Sequence, residues 1–297
     1  MSASTVTAAA RPRGRQLALD YLDLTKPKVQ SLLLLTTVTT MEVAGDPSVG
    51  RVAITCLGGY LSAGGAGAVN HYWDRDIDAR MPRTANRPIP SGRIRPAAAL
   101  SFGCSLAALS FLLMSLTVGV LAASLALGGF VGYVGIYTMW LKRRTHHNIV
   151  IGGAAGAMPP LVGWAATRGS LSWTAVYLFA IVFYWTPPHF WALSLLMKKE
   201  YAEVKIPMLP VVRGERETRR QIVLYSLLLY AVTQLPFCVG AFGDIYLACS
   251  MVLGLTLIGG AVWLYQHPER RNALRLYLFS MVYLALLFGA MVADVKL

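Results

Sequence analysis

The residues best suited to chemistry form one stretch, Asn70-His71-Tyr72-Trp73-Asp74-Arg75-Asp76-Ile77-Asp78, at the end of a long apolar run. Asn70, Asp74 and Asp78 are spaced four apart. On an α-helix each step of four advances about 40° around the axis and about 6 Å along it, so three oxygen-bearing side chains line one face and Asp76 points elsewhere. A carboxylate near a bilayer interior costs about 2.5 to 3.5 kcal/mol on insertion scales, so a purely decorative row is disfavoured and a hard dication would offset the cost. Mg²⁺ suits such an open face, because it prefers oxygen ligands and binds through one or two carboxylates plus substrate phosphates while keeping several waters. An isolated DxxxD pattern is equally the mark of a solvated helix end; its company distinguishes this one. Arg75, Arg80, Arg83, Arg87, Arg93 and Arg95 crowd the same loop, and guanidinium forks match the remaining oxygens of a diphosphate. Some of these arginines serve only as topological or lipid-facing charges.

A second acidic candidate is Glu200, in Lys198-Lys199-Glu200-Tyr201-Ala202-Glu203; Glu203, one helical turn along, pairs as readily with Lys199 or Arg219. Lys142-Arg143-Arg144 close another apolar run, either as membrane anchors or as substrate contacts. Tyr133, Tyr137, Tyr184 and Trp185 offer π faces to a carbocation, although interfacial or core packing is the default for any one of them.

The elements that must position these residues are set by composition. Hydrophobic residues make up 56% of the 297, charged residues 14%, and mean hydropathy is +0.53, the balance of a membrane protein. Apolar runs near 28–45, 51–69, 97–116, 119–141, 149–167, 172–197, 222–241, 245–265 and 273–293 predict nine spans. A net charge of +13 would suggest nucleic acid only if the basic residues formed one patch, and they alternate instead. Five lie N-terminal to the first span, and six, three, seven and three follow the second, fourth, sixth and eighth, leaving only Arg51, Arg168 and Lys296 for the other side. The positive-inside rule then places the N-terminus and the even-numbered turns in the cytoplasm and the C-terminus across the membrane. Residues 1–15 are followed by no apolar segment of the secretory kind, so residues 1–20 read as a basic cytoplasmic tail and 21–297 as a single transmembrane domain. Both large loops, Asn70 to Arg95 and Lys198 to Gln221, open on the same face, and their spacing suggests two four-helix halves plus a ninth span.

Gly58, Gly59, Gly64, Gly65 and Gly67 in the second span are expected to let helices approach closely, and Pro159-Pro160 and Pro187-Pro188 to interrupt two spans beside a cavity. The four cysteines, all in apolar runs and without metal-ligand spacing, read as small packing residues.

Asp74-Arg75-Asp76-Ile77-Asp78 with Met81, Arg83-Thr84 and Arg87-Pro88 resembles the first signature of the protoheme farnesyltransferases, members of the UbiA-type intramembrane prenyltransferase superfamily. Tyr137-Thr138 through Arg143, Asn148 through Gly153, Trp185 through Leu193 and Ile206 through Val212 resemble that family in the same order, and the match covers roughly residues 20–294. The first signature identifies only the superfamily, whereas Thr186–Leu193 and Ile206–Val212 resemble the heme enzymes specifically. Two departures are Glu200, where the family usually has Asp, and Val204-Lys205, which replaces a common Ala-Gly.

The resemblance implies an all-α integral membrane bundle of nine helices around a central cavity, in a bacterial cytoplasmic membrane. It implies Mg²⁺ on Asn70, Asp74, Asp78 and Glu200, and diphosphate contacts from Arg75, Arg83, Arg87, Lys142 and Arg143. Heme contacts are expected from His189, Trp191 and Tyr137, whereas His146, His147 and His267 read as structural. The implied reaction carries farnesyl from its diphosphate to a vinyl group of heme B with hydration, giving heme O, with heme A synthase or the terminal oxidase as further partners. A transporter would place polar groups near midplane in both halves, and here they cluster at one face. A quinone-precursor acceptor is disfavoured by the Thr186–Leu193 stretch.

Overall fold

The computed structural model describes residues 14–297, so Arg11 and Arg13 of the basic tail lie outside the described residues. The chain is helical throughout: α1 Gly14–Leu24, α2 Pro27–Ala44, α3 Val49–Trp73, α4 Arg75–Asp78, α5 Pro96–Thr117 and α6 Val120–Val131, the last continuing as a π-helix over Gly132–Leu141. Then follow α7 Asn148–Gly156, α8 Met158–Arg168, α9 Trp173–Leu196, α10 Lys198–Glu203, α11 Leu209–Val212, α12 Gly214–Cys238, α13 Asp244–Gln266 and α14 Arg270–Lys296.

Seven of the expected spans are helices long and apolar enough to cross a membrane among the described residues, counting α6 with its π-helical continuation and α7 with α8 as one each. The other two expected runs are also helical, as α2 and α9, but fall outside that set. Threonines dilute the hydropathy of α2, and Tyr, Trp, Pro and His that of α9. In α2 the hydroxyls of Thr36 and Thr37 donate to the Leu33 carbonyl and that of Thr39 to Leu35, so these polar side chains are satisfied within the helix.

Close helix approach depends on glycine where the sequence suggests it. α3 packs along α5. A Cβ on Gly65 would lie 2.6 Å from the Gly103 carbonyl oxygen, and one on Gly103 2.7 Å from that of Gly65, so the two backbones touch. Gly163 on α8 does the same against the Thr37 carbonyl of α2, at 2.5 Å. The main apolar core lies among α9, α12, α13 and α14, around Tyr246, Tyr283 and Phe288. Ile77 and Met81 from the first large loop and Val204, Ile206 and Met208 from the second join it, which fixes both loops at one end of the bundle.

Two expectations are corrected and one is met. Pro159-Pro160 do coincide with a break, since α7 ends at Gly156 and α8 opens with the prolines in its first turn, where missing N–H groups cost nothing. Pro187-Pro188 do not interrupt their helix: α9 runs continuously from Trp173 to Leu196, with both prolines buried in its packing. Of the cysteines, Cys104 and Cys238 are exposed on the outside of the bundle, so only Cys56 and Cys249 are partly packed.

Candidate active site

The last turn of α3 brings Asn70 to the rim of the bundle. Asp74 breaks the continuous helix that the spacing predicts, ending α3 and preceding α4 with φ −89° and ψ 6°. Helical hydrogen bonds nevertheless pass through the junction, from the Asp74 amide to the Asn70 carbonyl at 2.9 Å and from the Asp78 amide to the Asp74 carbonyl at 2.8 Å. The shared face therefore survives. Asn70, Asp74 and Asp78 are 3%, 2% and 5% exposed, so the row is buried rather than turned to bulk solvent.

Each acid has a cation. Lys142 forms a close ion pair with Asp74 Oδ2, and Arg143 stands 3.5 Å from Oδ1 of the same carboxylate. Arg87 donates to Asp78 Oδ2 at 2.8 Å, while Thr84 Oγ1 donates to the Asp78 carbonyl at 2.9 Å. The Asn70 amide donates to Asp74 Oδ2 at 2.8 Å and to Thr138 Oγ1 at 3.2 Å, and its Oδ1 accepts from Lys26 Nζ at 2.6 Å. Thr138 and Lys142 come from the π-helix and its end, where the Lys142 amide reaches back five residues to Tyr137. The widened turn sets these two side chains against Asn70 and Asp74. Tyr133 and Tyr137, with ring centroids 5.4 Å apart, share that segment, and the Lys26 ammonium lies 6.0 Å from the Tyr133 centroid.

Outside the spans the electrostatics follow these contacts. The bidentate hydrogen bonds from Arg143 hold the Asp76 carboxyl below the usual carboxylate range, and raise Arg143 in turn. Burial, with Arg87 and Lys142 nearby, lowers Lys26 to about 7. Burial also opposes the charge of Lys142, but Asp74 outweighs it and the net direction is up. Like charges thus converge beside Asp74 and Asp78, the two buried carboxylates that act against the loss of charge on Lys26.

Of the predicted diphosphate contacts, Arg87, Lys142 and Arg143 meet the acidic row. Arg83 faces Glu200 across 3.9 Å, which joins the two loops. Arg75 does not join: it lies over the Tyr72 ring, 4.6 Å from the centroid, and donates to the Tyr72 carbonyl. Among the described residues no group of three or more His, Cys, Asp or Glu side chains is close enough to hold a metal alone. Asp74 Oδ1 and Glu200 Oε2 are nonetheless buried oxygens without a hydrogen-bond donor, and hard oxygen donors of this kind fit Mg²⁺, which takes its other ligands from water and phosphate.

Of the residues expected at heme, His189 and Trp191 make their contacts with α12 and α14, whereas Tyr137 lies on the π-helix beside the acidic row. His189 is stacked between Trp185 and Tyr277, with centroids 4.3 and 4.8 Å away, and its Nδ1 is 2.7 Å from Ser280 Oγ of α14. Trp191 packs edge-on against Tyr225 of α12. Tyr137 lies against Gly152, where a Cβ would come within 2.4 Å of its ring. Lys26, His71, Thr84 and Thr138 are site residues that sequence spacing did not single out. The only local signal for Lys26 is its place before Pro27 at the head of the first span; its left-handed φ of 54° is set by the turn between α1 and α2.

Known proteins identify the family and the fold. The UbiA prenyltransferase family matches residues 32–287. The chain is 53% identical over 297 residues to the protoheme IX farnesyltransferase of Chloroflexus aurantiacus, covering 99% of this chain and 51% of that one. It is 51% identical over 292 residues to the protein of that name from Symbiobacterium thermophilum, covering 97% and 98%. It thus spans about half the length of several such relatives and nearly all of another. A structure of a digeranylgeranylglyceryl phosphate synthase superposes with a TM-score of 0.78 at 18% identity, over 94% of this chain and 99% of that one. A UbiA homolog from Archaeoglobus fulgidus bound to GPP and Mg²⁺ gives 0.70 at 14%, over 92% and 99%, a likeness of fold. With a buried acid-and-cation rim on a helical bundle of that fold, and the family's sequence pattern along most of its length, the chain belongs to the UbiA prenyltransferase family.

Proposed function

We propose that this chain transfers the farnesyl group of farnesyl diphosphate to a vinyl carbon of protoheme, with addition of water, to give heme O. The observation that carries the prenyl-transfer part is the buried row Asn70, Asp74 and Asp78, each carboxylate paired to a cation that a diphosphate would also attract. The near full-length likeness to the protoheme IX farnesyltransferase of Symbiobacterium thermophilum supports heme as the acceptor.

Asn70, Asp74, Asp78 and Glu200 would hold Mg²⁺, which when bound supplies positive charge to the diphosphate oxygens as the allylic C–O bond breaks. The chain's own part is electrostatic and positional. Lys142, Arg87 and Arg143 stand beside the row and take the departing diphosphate. Tyr133 and Tyr137 turn π surface toward the farnesyl cation. The heme vinyl carbon bonds to farnesyl C1, water adds to the resulting heme-side cation, and a proton leaves, so no protein nucleophile is required. His189, Trp191 and Tyr137 are assigned to the porphyrin side, and Ser280 holds the His189 ring by its Nδ1.

The charge bias supports a cytoplasmic rim with the C-terminus opposite; on this reading the membrane is a bacterial inner membrane and heme A synthase or a terminal oxidase is the receiving partner. The purified full chain in lipid, given protoheme and farnesyl diphosphate, is expected to release a heme heavier by one farnesyl group and one hydroxyl, and only with Mg²⁺ present. Product at equal rate in EDTA would overturn the metal assignment, and transfer to a phenolic quinone precursor but not to protoheme would overturn the acceptor.

A further inference from the structure

α3 presents its smallest residues to the corner between α1 and α2. A Cβ on Gly64 would lie 3.0 Å from Thr25 Cβ, and one on Gly67 2.9 Å from the Leu24 carbonyl oxygen. One helical turn beyond Gly67 the same face carries His71, which therefore rises beneath Lys26 while Asn70 and Asp74 occupy the adjoining face. The His71 ring is 2% exposed, and neither ring nitrogen has a hydrogen-bond partner among the described residues. An unpaired buried polar group costs about 1 to 3 kcal/mol, so packing alone would favour an apolar side chain here. The charged groups near enough to act on the ring are Lys26, Arg87 and Lys142. None of the three can accept an N–H, and the nearby amide oxygen of Asn70 is engaged by Lys26.

A buried imidazole with a free N–H, near the three cations Lys26, Arg87 and Lys142, matches an anion with several acceptor oxygens. We infer that His71 donates its ring N–H to a nonbridging oxygen of the prenyl diphosphate and is a substrate-binding residue of this site. This inference rests on the prenyl-transfer reading.

The test uses the full chain in lipid with Mg²⁺, reading binding of farnesyl thiodiphosphate, which resists ionisation, together with turnover of farnesyl diphosphate. His71→Leu removes the donor and is expected to weaken thiodiphosphate binding about 10- to 100-fold, the range for a hydrogen bond to a charged group, and to raise KM for farnesyl diphosphate alike. The KM for protoheme should not move. His71→Gln, which keeps an N–H of similar reach, should recover most of the loss, a rescue that a purely structural role would not give. If His71→Leu fails to fold, His71→Asn, polar but too short to reach, carries the same expectation of a raised KM. Unchanged thiodiphosphate affinity in the folded variants overturns the assignment of His71 alone. A wild-type chain that binds no prenyl diphosphate overturns both this inference and the prenyl-transfer reading.

Discussion

Lys142 and Arg87 each hold one carboxylate of the row. On the proposed reading Asp74 and Asp78 would hold the dication, and Lys142 and Arg87 would be the cations that bind phosphate oxygens. The account separates two arginines that the sequence treats alike. Arg87 contacts Asp78, whereas Arg75 lies outside on Tyr72. Arg87→Ala should lower kcat/KM for farnesyl diphosphate about 100-fold, while Arg75→Ala should stay within about threefold, in steady-state assays on the purified variants. Equal losses would mean that Arg75 swings inward when substrate binds. The acidic face was legible because a spacing of four is a property of the helix itself. Lys26 and Thr138 were not, since the fold alone carries residues 44 and 68 positions away to the amide of Asn70.

The elements explain why these side chains meet. The π-helical segment Gly132–Leu141 leaves no mark in hydropathy, because a widened turn keeps the apolar composition of the span and changes only its pitch. The Val204-Lys205 departure has a structural cost that can be located. Lys205 sits at φ 58°, the left-handed region that glycine tolerates and other residues adopt at about 1 to 2 kcal/mol, and buried Val204 and Ile206 hold the loop on either side. Close packing of α3 on α5 was foreseeable from the small residues of α3, though its partner Gly103 was not. Gly65→Ala places a methyl 2.6 Å from the Gly103 carbonyl oxygen, so it should destabilise the fold by about 1 to 3 kcal/mol. Thermal unfolding in detergent would read this as a lowered Tm; an unchanged Tm would show that the helices separate without penalty. The double proline in α9 has a related explanation: burial keeps the backbone helical through residues that would break a helix in water.

Across the whole molecule, the acids, their cations and both large loops gather at one end of the bundle, while Asp46, Arg51, Thr117 and Thr167 line a cavity of about 460 Å³ at the other. At that far end Lys296 pairs with Asp46 and Glu42, and Asp294 accepts from the amides of Gly243 and Tyr246, so the last turn of α14 is tied to the loops before α3 and α13. The proposed topology, with the acidic rim cytoplasmic, can be tested directly. A cysteine placed at Ser170 should react with an impermeant maleimide in intact cells and one at Asn86 only after permeabilisation, and the reverse pattern would invert the topology. The central claim is that a carboxylate fixed at the rim holds the metal that helps draw diphosphate from the isoprenoid. Turnover of Asp74→Asn tests it most directly, because the amide keeps the shape of the side chain and an acceptor for Lys142 while removing the charge. Heme O formation by the folded variant should fall at least about 100-fold; a folded Asp74→Asn protein that works at the wild-type rate would contradict the metal-holding role.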